Sequence, residues 1–367
     1  MNVGFYDGDG NLLKSKPILL QNQKETVVEY DGTKNVKAII PNIDDLTFIK
    51  IVLDENTLTW VRKNISNVKD DLTRCLVWRC LFEMVRDSRL KSGDFVDLMC
   101  EHIPKENSEP ILKLMMNYFS GALFQYMPET MLDAKMDKAW KAIYEKLLKT
   151  KDAELTKLLQ DLLVTFSDSK EALTTLSAWY DGNLEKLNHL KLTLDQKWRI
   201  VFKIQSCDVF IQEYKDKCVK DMEDSDTTDQ KKEYKEKITA LVASDSQREE
   251  LWKEYMNKDT KMSYHEIGNS AEGFNSRLVA YEKREVYHQR FFDGLIDMLL
   301  TRNREAAKSL YNGLMPMYKD YGDMIISFEK LEKLQEYEKL DAFWKKELKA
   351  DFDQFKKKNK ILQFALA

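Results

Sequence analysis

Apolar positions alternate with a period of two over residues 3–40 and recur every three or four positions from Leu58 onward. Residues 3–7 form the first alternating run. Asp7-Gly8-Asp9-Gly10-Asn11 is a dense turn signal that folds this run back onto residues 12–20 as a hairpin. Two further apolar runs, 26–30 and 36–40, lie on either side of the Asp31-Gly32 turn. Three or four such strands make one small sheet, and the first strand is expected to lie at an open edge. The segment from Asn42 to Asp54 is the seam between the two periods.

Beyond the seam the pattern predicts helices joined by short links. Asp70 and Asp71 offer N-caps to a helix whose apolar residues, from Leu72 through Trp78 to Val85, fill more than one stripe and so are buried on several sides. Ser92-Gly93 is expected to stop one helix and Asp94 to begin the next. Pro104 and Pro110 bracket a loop, residues 111–127 are helical, and Pro128 opens another helix. Residues 133–166 fit two amphipathic helices, and Ser167-Asp168-Ser169 caps a helix over 172–180 that ends at Asp181-Gly182-Asn183. Further helices are expected at 195–204, 207–220, 229–242, 246–256, 272–282, 284–301, 304–314 and 321–363. The fold class is mainly α: an α-solenoid of HEAT/armadillo-like form, curved into a helical bowl and preceded by a small, incomplete β-sandwich. No strict repeat period is present, so any repeats are degenerate. The domains expected are 1–50 for the partial sandwich and 51–367 for the helical part.

Composition agrees with the pattern. The chain has 367 residues, with 43% hydrophobic and 33% charged but only 12 Gly and 6 Pro, which is lean in turn-formers. Fifty-eight basic residues against 62 acidic give a net charge of -4, so no overall field draws in nucleic acid or an anionic membrane. The Lys356-Lys357-Lys358 run reads as a solvated helix end that favours cations. Cys75, Cys80, Cys100, Cys207 and Cys218 are odd in number and widely spaced, and several fall in apolar helical patterns. They read as reduced residues of an intracellular, cytoplasmic protein. The N-terminus lacks the form of a signal peptide and no apolar run is long enough for a membrane span, so no membrane insertion is expected.

The sharpest candidate for chemistry is His265-Glu266, the first half of the H-E-x-x-H zinc motif. Zinc needs a second imidazole four residues on, and Asn269 stands there; Gly268 also weakens the supposed helix, which leaves a surface helix start as the better reading. His102, His189 and His288 read as ordinary surface or half-buried histidines. The acid pairs Asp44-Asp45, Asp70-Asp71 and Glu249-Glu250 read as charge at helix starts, since adjacent residues do not face one another. Trp78, Trp140, Trp179, Trp198, Trp252 and Trp344 read as packing anchors. No nucleophile motif and no glycine-rich phosphate loop occurs in the sequence. The residues therefore point to no catalytic site, no metal site and no cofactor.

The seam, Asn42-Ile43-Asp44-Asp45-Leu46-Thr47-Phe48-Ile49-Lys50-Ile51-Val52-Leu53-Asp54, resembles the segment with which bacterial-type members of the aminopeptidase N family of zinc metallopeptidases enter their C-terminal helical domain. Leu76-Val77-Trp78, Met84-Val85-Arg86-Asp87-Ser88-Arg89-Leu90, Leu194-Asp195-Gln196-Lys197-Trp198-Arg199 and Leu310-Tyr311-Asn312-Gly313-Leu314 continue the resemblance in order, and Val3-Gly4-Phe5-Tyr6-Asp7 is similar to a strand of the family's sandwich. The family's zinc helix, its exopeptidase motif and its catalytic tyrosine precede this region, so the resemblance carries over no catalytic residue; the family's third zinc ligand, a glutamate, would fall on His288. What it implies is a helical lid over a catalytic domain. The expectation is a non-catalytic, aminopeptidase-like helical scaffold that is no enzyme on its own. It acts through protein partners in a larger assembly, with peptides in the concave face as a further class of ligand. The alternative is the lid half of a zinc aminopeptidase whose catalytic domain lies on another polypeptide or was removed. Met1 as first residue favours a separate gene product.

Overall fold

The computed structural model describes residues 1–28, 32, 34–316 and 321–367, and the protein is mainly α with one small sheet. Two compact units are distinguished: residues 1–166 together with 360–367, and residues 167–359.

In the first unit, strands β1 (Asn2–Tyr6), β2 (Leu12–Pro17) and β3 (Ala38–Pro41) pair antiparallel in the order β2-β1-β3. β1 is therefore the central strand, not the open edge that the sequence suggested. The hairpin closes as expected: Asp7 accepts from the backbone N–H groups of Asp9 and Asn11, each at 2.9 Å. The predicted strand over 26–30 does not form at 26–28, and its last residues lie outside the described ones, as does Asp31 of the predicted turn. Central placement explains why Val3, Phe5 and Tyr6 are buried while β2 is exposed along its length. Tyr6 stacks at 5.5 Å on Trp60, whose indole N–H donates to the Asp7 carbonyl at 2.6 Å; Trp60 belongs to α1 (Glu55–Asn64).

Helices α2 (Asp71–Arg86), α3 (Ser92–His102), α4 (Glu109–Tyr126), α5 (Glu129–Lys149) and α6 (Ala153–Thr165) complete this unit. Asp70 caps α2 through the Thr73 N–H at 2.8 Å, as its position in the sequence predicts. Ser92-Gly93 opens α3 instead of ending its predecessor: the residues there are buried, and Ser88, with φ 56°, supplies the reversal. Buried Glu106 holds the loop before α4, accepting from the N–H groups of Asn107 and Ser108 and pairing with Arg74 of α2 at 2.9 Å.

The second unit comprises α7 (Lys170–Tyr180), α8 (Leu194–Ser206), α9 (Gln212–Ser225), α10 (Gln230–Leu241), α11 (Asp245–Met256), α12 (Tyr264–Phe274), α13 (Tyr281–Glu285), α14 (His288–Thr301), α15 (Arg304–Leu314), α16 (Gly322–Leu331) and most of α17 (Ala342–Leu366). The helix predicted over 272–282 is displaced to α12, and the one over 207–220 begins only at Gln212. The long helix over 321–363 is broken by a 3-10 turn at Gln335–Lys339, after which Asp341 caps α17 through the Trp344 N–H at 2.9 Å.

Glycine explains α12. A Cβ on Gly273 would sit 2.0 Å from the Lys237 carbonyl oxygen of α10, and one on Gly313 would meet the Ala271 side chain at 2.6 Å. The residues that weaken helix propensity are those that let α10, α12 and α15 touch. Around them packs an aromatic core that includes Trp252, Tyr255, Phe274, Phe291, Phe328 and Trp344.

Candidate functional site

The half-motif His265-Glu266 lies in the first turn of α12. Ser263 and Glu266 form a capping box there: Ser263 accepts from the Glu266 N–H and Glu266 from the Ser263 N–H. A hydrogen bond from Lys232 at 2.8 Å, with help from Ser263, pulls the Glu266 carboxyl down to about 2. Asn269, standing where zinc would need imidazole, donates to Glu236 at 3.0 Å. Among the described residues, no group of three or more His, Cys, Asp or Glu side chains is arranged to hold a metal ion. Glu266 is thus used for capping and, with Asn269, for tying α12 to α10, while His265 is exposed beside the Tyr264 ring.

The histidines differ from one another. His189 is exposed, whereas His102 and His288 are buried, against the surface or half-buried reading. His102 is fixed as the neutral Nε2–H tautomer: Nε2 donates to the Arg62 carbonyl at 3.0 Å and Nδ1 accepts from the Ser66 hydroxyl at 2.6 Å. Burial pushes its pKa down. His288 begins α14, lies 5.7 Å from the Tyr281 ring, and is pushed down to about 4 by burial and by Arg284.

The acid pairs also separate. Asp70 and Asp71 do serve a helix start, but Asp44 binds the Asn2 amide at 2.6 Å and Asp45 pairs with Arg79 at 2.6 Å in a turn. Glu249, in the second turn of α11, holds Arg290 through two bonds of 2.7 and 3.0 Å. The Lys356-Lys357-Lys358 run lies inside α17, where Lys356 sits 3.6 Å over the Phe352 ring and Lys358 lies 5.2 Å over Phe355 and 5.6 Å over Tyr321; it is not a free helix end. All six tryptophans singled out are buried.

Arg248 of α11 gave no sequence signal. It is 1% exposed, its guanidinium carbon stands 3.8 Å from the Phe274 ring centre and 5.4 Å from that of Tyr287, and its three nitrogens have no hydrogen-bond partner among the described residues. Burial pushes its pKa down, partly opposed by Tyr287 and Tyr255. Ring faces, with a Coulombic contribution from Asp245, take the place of hydrogen bonds for this cation.

The outward-facing feature is the seam. From Leu46 to Leu53 the chain is extended and irregular, and its sides alternate: Ile51 and Leu53 are buried, while Leu46, Phe48 and Val52 are exposed. Asp54 then caps α1. The strap covers an open groove of about 620 Å³ lined by Ile49, Ile51, Arg79, Cys80 and Glu83 among others. The four most exposed large apolar side chains among the described residues, Leu19 (83%), Val27 (87%), Leu46 (77%) and Phe48 (108%), all lie in the sheet region and seam.

The model of the ERAP1-like C-terminal domain family matches residues 38–358. The chain belongs to that family. It is also 23% identical over 328 residues to Aminopeptidase N of Streptomyces lividans, an alignment that covers 86% of this chain and 36% of that protein. The resemblance read from the seam thus holds: the chain corresponds to a C-terminal region of the aminopeptidase N family. The family match begins at Ala38, so β3 lies inside it, while β1 and β2 lie outside.

Proposed function

We propose that this protein is a non-catalytic, aminopeptidase-like helical scaffold that acts by protein–protein interaction as a subunit of a larger assembly. The observation that carries this reading is that the four most exposed large apolar side chains among the described residues lie on the small sheet region and the seam. A partner covering that face would remove Phe48, Leu46 and their neighbours from water. All five cysteines are unbridged, which fits an intracellular, cytoplasmic setting. Zinc analysis of the purified chain, together with hydrolysis of aminoacyl fluorogenic substrates, tests the reading. Neither stoichiometric zinc nor turnover is expected, and finding either would overturn it.

A second reading is favoured by one observation, that the chain spans only 36% of the length of the relative it matches. In it the chain is the lid half of a zinc aminopeptidase whose catalytic half is supplied by another polypeptide. Activity that appears only when a partner bearing H-E-x-x-H is added would select this reading over the first.

A further inference from the structure

The strap over the groove is fastened at its ends by buried groups and in its middle by charge. At one end the chain reverses through Asn42 and Asp45, with φ 57° and 51°, and buried Asn42 exchanges hydrogen bonds of 2.9 and 3.1 Å with the main chain of Thr47. At the other end Ile51 and Leu53 are buried and Asp54 caps α1. Between these anchors, from Phe48 to Lys50, no main-chain hydrogen bond is made among the described residues, and Ile49 is only half-buried. The middle is held instead by a charged stripe on α2. Arg79, Glu83 and Asp87 recur every four residues along α2 and its C-terminal cap and so share one face. Asp45 accepts from Arg79 at 2.6 Å, while Lys50 donates to Asp87 at 2.7 Å and lies 3.7 Å from Glu83.

We propose that this stretch is a salt-sensitive latch: when the Asp45–Arg79 and Lys50–Asp87 pairs part, residues 46–50 swing off α2 and open the groove down to Cys80. The latch is a property of this chain alone and goes beyond both functional readings above, so it stands or fails separately from them. Its clasps are weak by construction. The side chains of Arg79 and Lys50 are 45% and 51% exposed, and an exposed pair favours its closed geometry by only about twofold to fivefold. Two such clasps together favour closure by about tenfold, a bias that screening by salt removes. No main-chain bond has to break, and Ile49 is the apolar side chain that leaves its contact. The order of charges fixes the register, because sliding the strap along α2 would bring Asp45 towards Glu83. Cys80 reports the closed state. It lines the groove, is 4% exposed, and burial pushes its thiol up to about 12, with Arg79 opposing that shift.

The test follows alkylation of Cys80 by N-ethylmaleimide in the full chain, read by tryptic digestion and mass spectrometry. Cleavage after Arg74, Arg79 and Arg86 places Cys75, Cys80 and Cys100 on separate peptides. Cys100 of α3 is buried and does not line the groove, so it reports opening of the whole fold. Raising sodium chloride from about 0.01 M to about 1 M is expected to speed alkylation of Cys80 about fivefold and to leave Cys100 unchanged. Asp45→Asn with Lys50→Gln is expected to speed it about tenfold at low salt and to abolish the salt dependence. Asparagine tolerates the left-handed backbone at position 45, and the salt titration of the unaltered chain keeps the test decisive if the variant folds poorly. A rate at Cys80 that responds to neither salt nor the variant overturns the latch. So does acceleration shared by Cys100, which is opening of the whole fold, and so does fast alkylation of Cys80 already at low salt, which means that the strap does not close the groove.

Discussion

The sheet region up to Leu53 and the helical stack around α12 solve the same problem in opposite ways. In the stack, glycines bring backbones into contact, rings close over a guanidinium, and a large aromatic core is inside. In the sheet region a central strand is buried while its neighbour and the seam present leucine, valine and phenylalanine to water. The stack satisfies its own packing; the sheet region is a surface whose apolar side has no cover among the described residues. The difference teaches where the proposed interaction would fall, because exposed apolar area is retained most readily where something binds it.

The sharpest way to break the comparison is in the stack. Gly273→Ala forces a methyl against the Lys237 carbonyl and should destabilise the protein by upwards of about 3 kcal/mol in a denaturant titration; a loss below about 1 kcal/mol would mean that the α10–α12 contact is loose.

The second concerns His288. Its folded pKa, about 4, lies below the ordinary 6.5, so between these values the unfolded chain binds the extra proton and folding stability rises with pH. Stability should therefore fall by about 3 kcal/mol as pH drops from 6.5 to 4, in addition to losses from carboxylates, and His288→Phe should remove that share. A parallel pH curve for the variant would place His288 outside the sealed core.

Arg248→Met tests whether rings alone sustain the buried cation. Stability is expected to be unchanged or raised by about 1 kcal/mol, because a flexible apolar chain replaces a charge with no hydrogen-bond partner among the described residues. A marked loss would show that the guanidinium is held by more than Phe274 and Tyr287.

The smallest effect on stability belongs to the seam. Leu46→Ser with Phe48→Ser should change unfolding free energy by no more than about 0.5 kcal/mol, since neither side chain is packed, while native pull-downs should lose the partner. If instead the variant unfolds, the strap is part of the core and the contrast with the stack fails.

Much of this was legible in the chain. The change of period at the seam, the caps at Asp70 and Ser169, and the tight turn after β1 follow from short-range stereochemistry, which a local sequence expresses directly. The misplaced helix at 272–282 had a physical cause: Gly268 and Gly273 lower the helix propensity of α12, yet Gly273 is what lets the α10 backbone approach it. Acid pairs and histidines were assigned by their neighbours in sequence, yet Glu249 and Asp45 are governed by Arg290 and Arg79, 41 and 34 residues away.

The sequence by itself determined the change from strands to helices, the family to which the chain belongs, and the lack of a second histidine four residues after His265, because each depends on residue identity at short spacing. Only the tertiary structure decided that β1 is central, that Thr57 closes the β3 edge of the sheet, and that Phe48 points outward while Arg248 is sealed beneath rings. Those outcomes depend on which surfaces meet, and a linear pattern specifies the side a residue lies on without specifying what covers it.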